Sequence, residues 1–277
     1  MNKIIPVLLI LTIVLYPLNV FAEFEEKIPG SRAAALGGAF VSIADDPNGI
    51  YYNPAGLGFA NFKTGFTSNR TKHFGMEELI HENVYFTPPA TSGNKGFGFG
   101  YEIFGSDNYQ ERVLTLAYGK KITEDHAFGI SFKNLQSSIV NTPKASSLSF
   151  DVGWLCKYNE KINFGLSIKN ANNPVVNDSI GRTIQGGFNI KFTEKMTFIL
   201  EASKKDEGSR TQQEVCFHVG EELKVSEILT LRAGYLSRPS RISLGAGINI
   251  DDWILDYSFK SHDSLDSTHG FSFGRRY

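Results

Sequence analysis

The sequence has only two cysteines in 277 residues, no basic block longer than two residues, and a single long apolar run, which is its first. Each shortage excludes a class of protein. Two cysteines cannot supply the disulfide framework on which small secreted scaffolds depend. With 28 basic against 29 acidic side chains and a formal charge of −1, there is no electrostatic footprint for nucleic acid. A helical membrane protein needs apolar stretches of about 20 residues, and after residue 18 there are none. Metal-ligand spacing of the Cys/Cys/His/His kind is also missing, so neither a metal nor a cofactor is expected.

Catalysis lacks its parts as well. Of the histidines His73, His81, His126, His218, His262 and His269, only His262 stands beside Asp263 and Ser264, and no nucleophile motif accompanies that triplet. It reads as a polar turn. The run from Gly96 to Gly100 alternates glycine with phenylalanine but does not lead from a strand into a helix, as a phosphate loop must.

The first apolar run, residues 4–18, follows Lys3 and gives way to Asn19-Val20-Phe21-Ala22, with small residues where a signal peptidase cuts. Residues 1–22 are therefore expected to be a cleaved signal peptide. Pro6 and Pro17 and the shortness of the run speak against a retained anchor. No Cys follows the cut, so a lipoprotein anchor is not expected either.

What the chain has in quantity is glycine (27), phenylalanine (22) and tyrosine (11), distributed with a period of two. From about residue 62 onward, segments of roughly ten residues alternate apolar with small or polar side chains. Gly186, Phe188, Ile190 and Phe192 oppose Gln185, Gly187, Asn189 and Lys191. Trp253, Leu255, Tyr257 and Phe259 oppose Asp252, Ile254, Asp256, Ser258 and Lys260. Alternation is poorest over residues 62–72 and 80–87. Turn-forming clusters separate the runs, among them Asn159-Glu160-Lys161 and the longer polar stretches 170–181 and 205–211.

A soluble sandwich alternates too, so the period alone does not fix the class. Strands of ten residues are long for a soluble sheet but suit a tilted crossing of a bilayer. Aromatic residues such as Phe97, Trp154, Tyr158, Tyr235, Trp253 and Tyr257 fall near strand ends on the apolar faces, as interfacial girdles require. The pattern predicts an all-β transmembrane barrel of about 14 antiparallel strands over residues 62–277, closed because hydrocarbon tolerates no unpaired sheet edge. Cys156 and Cys216 should project to opposite sides of the wall and stay unbonded.

Residues 29–57 differ from everything after them. Ser31 is placed to cap a helix through Ala44, and Asp45-Asp46-Pro47-Asn48-Gly49 is stop-and-turn chemistry. Ala33, Ala34, Ala35, Gly37, Gly38 and Ala39 allow close approach to a wall. Gly96, Gly98 and Gly100, all on the face opposite Phe97, Phe99 and Tyr101, offer the matching surface. The expectation is a helical plug, residues 23–61, seated in the lumen against that glycine track. Asp45 and Asp46 can hold a cation or pair with lumen bases such as Arg232 or Arg241, and Asn53 can bond backbone before Pro54; the reading favoured is that these residues fold and seat the plug by helix stop, Asx-turn and salt bridge.

The stretch from Arg32 to Leu57, chiefly Gly37-Gly38-Ala39, Ala44-Asp45-Asp46 and Asn53-Pro54-Ala55-Gly56-Leu57, resembles the N-terminal motif of the PorV/PorQ-type outer-membrane proteins and of the wider FadL-like superfamily. That resemblance implies a monomeric fourteen-stranded barrel in the bacterial outer membrane, with the N-terminal segment in its lumen. It leaves two roles open: passage of a hydrophobic solute, as in FadL-like members, or service to a type IX secretion apparatus, as in PorV-like members. The last strand, carrying Phe271, Phe273 and the terminal Tyr277 on one face, resembles the signal by which barrel-assembly machinery recognises its substrates.

Overall fold

The computed structural model describes residues 27–59, 65–89, 93–176, 178–206 and 215–276. The expected signal peptide, residues 23–26 and 60–64, and Tyr277 lie outside the described residues. Fourteen antiparallel strands form one closed barrel. They are β1 (Gly65–Lys72), β2 (Ile80–Thr87), β3 (Lys95–Gly105), β4 (Tyr109–Lys121), β5 (His126–Ile139), β6 (Ala145–Lys157), β7 (Ile162–Lys169), β10 (Arg182–Thr193), β11 (Met196–Asp206), β12 (Val215–Lys224), β13 (Leu229–Ser237), β14 (Ser240–Ile250), β15 (Trp253–Lys260) and β16 (Thr268–Arg276). The short pair β8 (Val175–Val176) and β9 (Asp178–Ser179) is a separate hairpin in the connection between β7 and β10.

Each barrel strand pairs with the next barrel strand along the chain, β7 with β10 across the β8–β9 hairpin, and β16 closes on β1 in the register Gly65↔Arg276 to Lys72↔His269. Closure gives every strand two partners and leaves no edge, which a wall facing hydrocarbon requires.

The period-two pattern sorts the two faces. Outward side chains such as Phe99, Leu116, Phe132, Leu148, Leu244 and Phe271 are exposed, whereas inward Thr115, Ser131, Asp151, Gln185, Glu201 and Ser243 are buried. Polar groups inside and apolar groups outside invert the arrangement of a soluble protein. Among the described residues no helix is long and apolar enough to cross a membrane; crossing falls to the strands. The outward aromatics cluster, with Trp253 stacked on Phe273 at 4.9 Å and Phe66 set edge-on to both.

The two rims differ. On the rim where β1 starts and β16 ends, the connections 122–125, 158–161, 194–195, 225–228 and 251–252 are two to four residues long. On the opposite rim the fully described connections run from 238–239 and 106–108, two and three residues long, to 73–79 and 261–267, each seven residues long. Cys156 and Cys216 are both free.

Candidate functional site

Residues 27–59 lie inside the barrel as two short helices and a 3₁₀ helix: α1 (Ser31–Ala35), α2 (Gly49–Tyr52) and Pro54–Phe59. The helix expected to run from Ser31 through Ala44 stops at Ala35. Gly37 and Gly38 end it: at φ 67° and 83° they hold the left-handed backbone that lets Gly37 N donate to Ala34 O and Gly38 N to Ala33 O, the reciprocal closure typical of a glycine C-cap. Ser31 is not the cap. Gly30 occupies that position without a side-chain bond, and Ser31 N donates instead to Ser272 Oγ on β16 at 2.7 Å.

The plug supplies most of the apolar filling of the lumen. Leu36, Phe40, Val41, Ile50, Tyr52 and Leu57 are fully or almost fully buried, each worth roughly 1.5–3 kcal/mol relative to exposure in water. Phe40 and Tyr52 meet at a ring separation of 5.2 Å. The ammonium of Lys169, from the wall, sits 4.1 Å over the Tyr51 ring, a cation–π contact. Tyr51 and Tyr52 hydroxyls donate to Lys27 O and Pro29 O, tying the end of the segment to its beginning.

Glycine makes room for this backbone, in part where the sequence pointed. Gly96 faces the Leu57 carbonyl and Gly98 the Ile50 and Leu57 side chains, while Gly100 faces Tyr85 of the wall. The alanine-rich α1 does not touch this track. It packs on the other side of the lumen, where Gly220, Gly234 and Gly245 of β12, β13 and β14 lie against Leu36, Gly37 and Ala35. The difference arises because the useful glycine row runs across strands rather than along one. Gly96, Gly119, Gly129 and Gly153 are direct cross-strand partners on β3, β4, β5 and β6. A Cβ on Gly119, Gly129 or Gly153 would overlap Pro54 or its neighbours.

Ionic and hydrogen-bonded ties fix the plug to the wall. Asp45 and Asp46 pair with Arg32 of their own segment at 2.5 and 3.0 Å, not with Arg232 or Arg241. Proximity explains this: the turn at residues 45–49 folds back over α1, and Arg232 is already engaged by Glu222 at 2.8 Å and Asp256 at 2.7 Å. The second edge of the Arg32 guanidinium bonds Glu222 of β12 through Nε and Nη2, at 2.9 and 3.2 Å. The result is an alternating chain, Asp45/Asp46–Arg32–Glu222–Arg232–Asp256. Burial disfavours the Arg32 charge, but Asp45, Glu222 and Asp46 outweigh it and raise its pKa well above the usual guanidinium value. Asp46 also accepts from Asn48 N and Nδ2, shaping the turn into α2.

Asn53 bonds backbone of both plug and wall: Nδ2 donates to Val41 O at 2.9 Å and to Trp154 O of β6 at 3.0 Å, while Oδ1 accepts Ala55 N. Pro54, which has no N–H to satisfy, follows it against the glycine row. Two further anchors escaped the sequence reading. The carboxylate of Glu201 on β11 accepts the amides of Phe40, Val41 and Ser42 at 2.8–3.1 Å, together with Ser42 Oγ and Gln185 Nε2. His218 on β12 donates from Nδ1 to Gly37 O at 2.9 Å and accepts Ser203 Oγ at Nε2; the carbonyl partner fixes that tautomer. The available signal was a charge or imidazole mid-strand on a small-residue face, which alternation alone marks as lumenal.

Phe271 and Phe273 face outward on β16, and Arg275 beyond them stacks on Trp253 at 4.8 Å. His262, at the rim, bonds Thr268 Oγ1. Among the described residues no group of three or more His, Cys, Asp or Glu side chains is arranged to hold a metal ion.

No protein-family model matches the sequence, and a search of curated proteins finds no match. Solved structures do match. A ΔS2S3 mutant of the TodX monoaromatic hydrocarbon channel aligns with a TM-score of 0.68 and 12% identity, over 90% of this chain and 99% of that one. A Pseudomonas aeruginosa FadL homologue gives 0.67 and 10% over 92% and 99%. The Pseudomonas putida toluene transporter TodX gives 0.59 and 14% over 87% and 95%. At such identities the likeness is one of fold.

Proposed function

We propose that this protein is a channel of the bacterial outer membrane that binds or passes hydrophobic small molecules, and that residues 27–59 are the element that closes it. The observation that carries the reading is a lumen filled by an N-terminal segment of the same chain inside a closed fourteen-stranded wall. The outward apolar face supports residence in a bilayer. The likeness to TodX and to a FadL homologue supports hydrophobic cargo. Export would follow removal of residues 1–22, and assembly would use the terminal strand with Phe271, Phe273 and Tyr277 as the recognition feature.

Closure by a plug has a simple physical logic. A bare wall lined by Thr, Ser, Asn, Asp and Glu side chains would hold water; the plug replaces that water with Leu, Ile, Phe and Ala side chains. An apolar solute that displaces part of the plug meets apolar groups rather than a wet pore. Deleting residues 29–57 and measuring outer-membrane uptake of a long-chain fatty acid or an apolar dye tests the assignment. Altered uptake with an intact barrel is expected. Unchanged uptake would reduce the segment to packing.

A further inference from the structure

Among the described residues, four pairs of Lys, Arg, Asp or Glu stand directly opposite each other in the barrel ladder. Arg70↔Glu82, Arg182↔Asp206 and Glu222↔Arg232 are opposite in sign. The fourth, Lys95↔Lys120 on β3 and β4, sets ammonium beside ammonium. Both lysines lie on the outer face, because Gly96 and Gly119, next to them in sequence, face the plug. Like charges directly opposite destabilise a sheet. No carboxylate of the described residues pairs with either one, and Glu124 in the adjoining turn is taken by Lys121 at 2.9 Å.

The pair stands at the rim of the 122–125 turn, and away from that rim the outer face turns apolar at once. Phe97 packs on Tyr118 at 5.0 Å, and Phe97, Phe99, Leu116 and Phe128 are exposed. Aromatic rings on an outer wall mark the level of lipid headgroups. Beside the pair, at the rim, an open groove of about 490 Å³ is lined by Gly93, Asn94, Lys121, Ile122, Thr123 and Glu124.

From this geometry we propose that Lys95 and Lys120 hold the phosphate of an anionic phospholipid in the leaflet at the short-turn rim. The proposal rests on the membrane reading above. Adjacent strands are about 4.8 Å apart, so one phosphate reaches both ammoniums and replaces their repulsion with two charge-assisted hydrogen bonds. The acyl chains then lie on Phe97, Tyr118 and Leu116. A zwitterionic lipid brings a cation of its own to a site that already has two. Free phosphate meets the same ammoniums but leaves the aromatic wall uncovered.

Native mass spectrometry of the full chain, equilibrated in micelles with phosphatidylglycerol or with phosphatidylcholine of the same acyl chains, counts the lipid bound per barrel. Phosphatidylglycerol should bind more tightly by about tenfold or more. Lys95→Gln with Lys120→Gln should remove that preference. Lys120→Glu should remove it too and, by giving Lys95 an opposite charge, raise the thermal midpoint in lipid-free micelles. Equal binding of the two lipids, a preference that survives in both variants, or displacement of phosphatidylglycerol by inorganic phosphate at equal concentration would overturn the lipid site. Flotation with phosphatidylcholine vesicles reports the membrane reading separately. A chain that floats without the preference loses the lipid site alone, and one that does not float loses both.

Discussion

Arg32 Nε lies 2.9 Å from a carboxylate oxygen of Glu222, a residue 190 positions further along the chain. One guanidinium thereby joins the plug's own acidic turn to the β12 wall. Its Nη1 serves Asp45 and Asp46 while Nε and Nη2 serve Glu222, a use of both guanidinium edges that a lysine cannot copy. Arg32→Ala leaves the buried Asp46 carboxylate without its counter-charge and cuts the plug's tie to Glu222, which keeps Arg232, a loss on the order of 3–5 kcal/mol. The barrel has its own ladder and should survive. Limited proteolysis should cleave the plug in the variant and spare it in the parent, and equal resistance would contradict the latch.

Glu201 is the second anchor. Its two oxygens accept three consecutive plug amides. In Glu201→Gln one acceptor becomes a donor facing donors, a penalty of about 1–3 kcal/mol. Amide exchange at Phe40, Val41 and Ser42 should quicken by about tenfold or more, since 1.4 kcal/mol is one decade. No change at these three amides would mean that the carboxylate is incidental.

The glycine row makes a steric prediction. A methyl at Gly129 would overlap the Pro54–Ala55 peptide, whereas one at Gly93 would meet nothing within 4 Å. Gly129→Ala should therefore expose the plug to protease while Gly93→Ala behaves as the parent. Equal behaviour would show that the wall yields freely at β5.

His73, in the connection after β1, gives a pH dependence. Burial, with Lys260, His81, His262 and Lys27 adding to it, pulls its imidazole from the usual 6.5 down to about 3. The unfolded chain takes up the proton first as pH falls. Stability from this residue is thus complete above about pH 6.5 and is lost at roughly 1.4 kcal/mol per pH unit down to about 3. His73→Phe should flatten the denaturation midpoint against pH between 7 and 4. An unchanged slope would assign it to other groups.

Much of the fold was legible because a strand with two different solvents on its faces writes a period of two into the chain. Residues 185–192 and 253–260 do so plainly. β1 and β2 were the least legible, and Ser68, Arg70 and Glu82 are the reason: outward positions there break the apolar face. The plug was legible in composition but not in path. Local signals placed a break at Asp45 to Gly49, but Gly37-Gly38 ended the helix that the sequence reading carried through Ala44. The partners of Arg32 and Asn53, and the glycines of β4, β5, β6 and β12 to β14, depend on which strands are neighbours in the closed wall. That is a property of register, which no single segment contains.

The central claim is that the plug closes the channel and must shift for solute to pass. Leu36 Cβ lies 3.0 Å from where a Cβ on Gly220 would stand, close enough for a disulfide after small relaxation. Leu36→Cys with Gly220→Cys, in a chain carrying Cys156→Ser and Cys216→Ser, allows the plug to be tethered and released in one sample. Uptake of an aromatic hydrocarbon by vesicles holding this protein should stop on oxidation and return on reduction. Uptake equally fast with the tether closed would contradict the account.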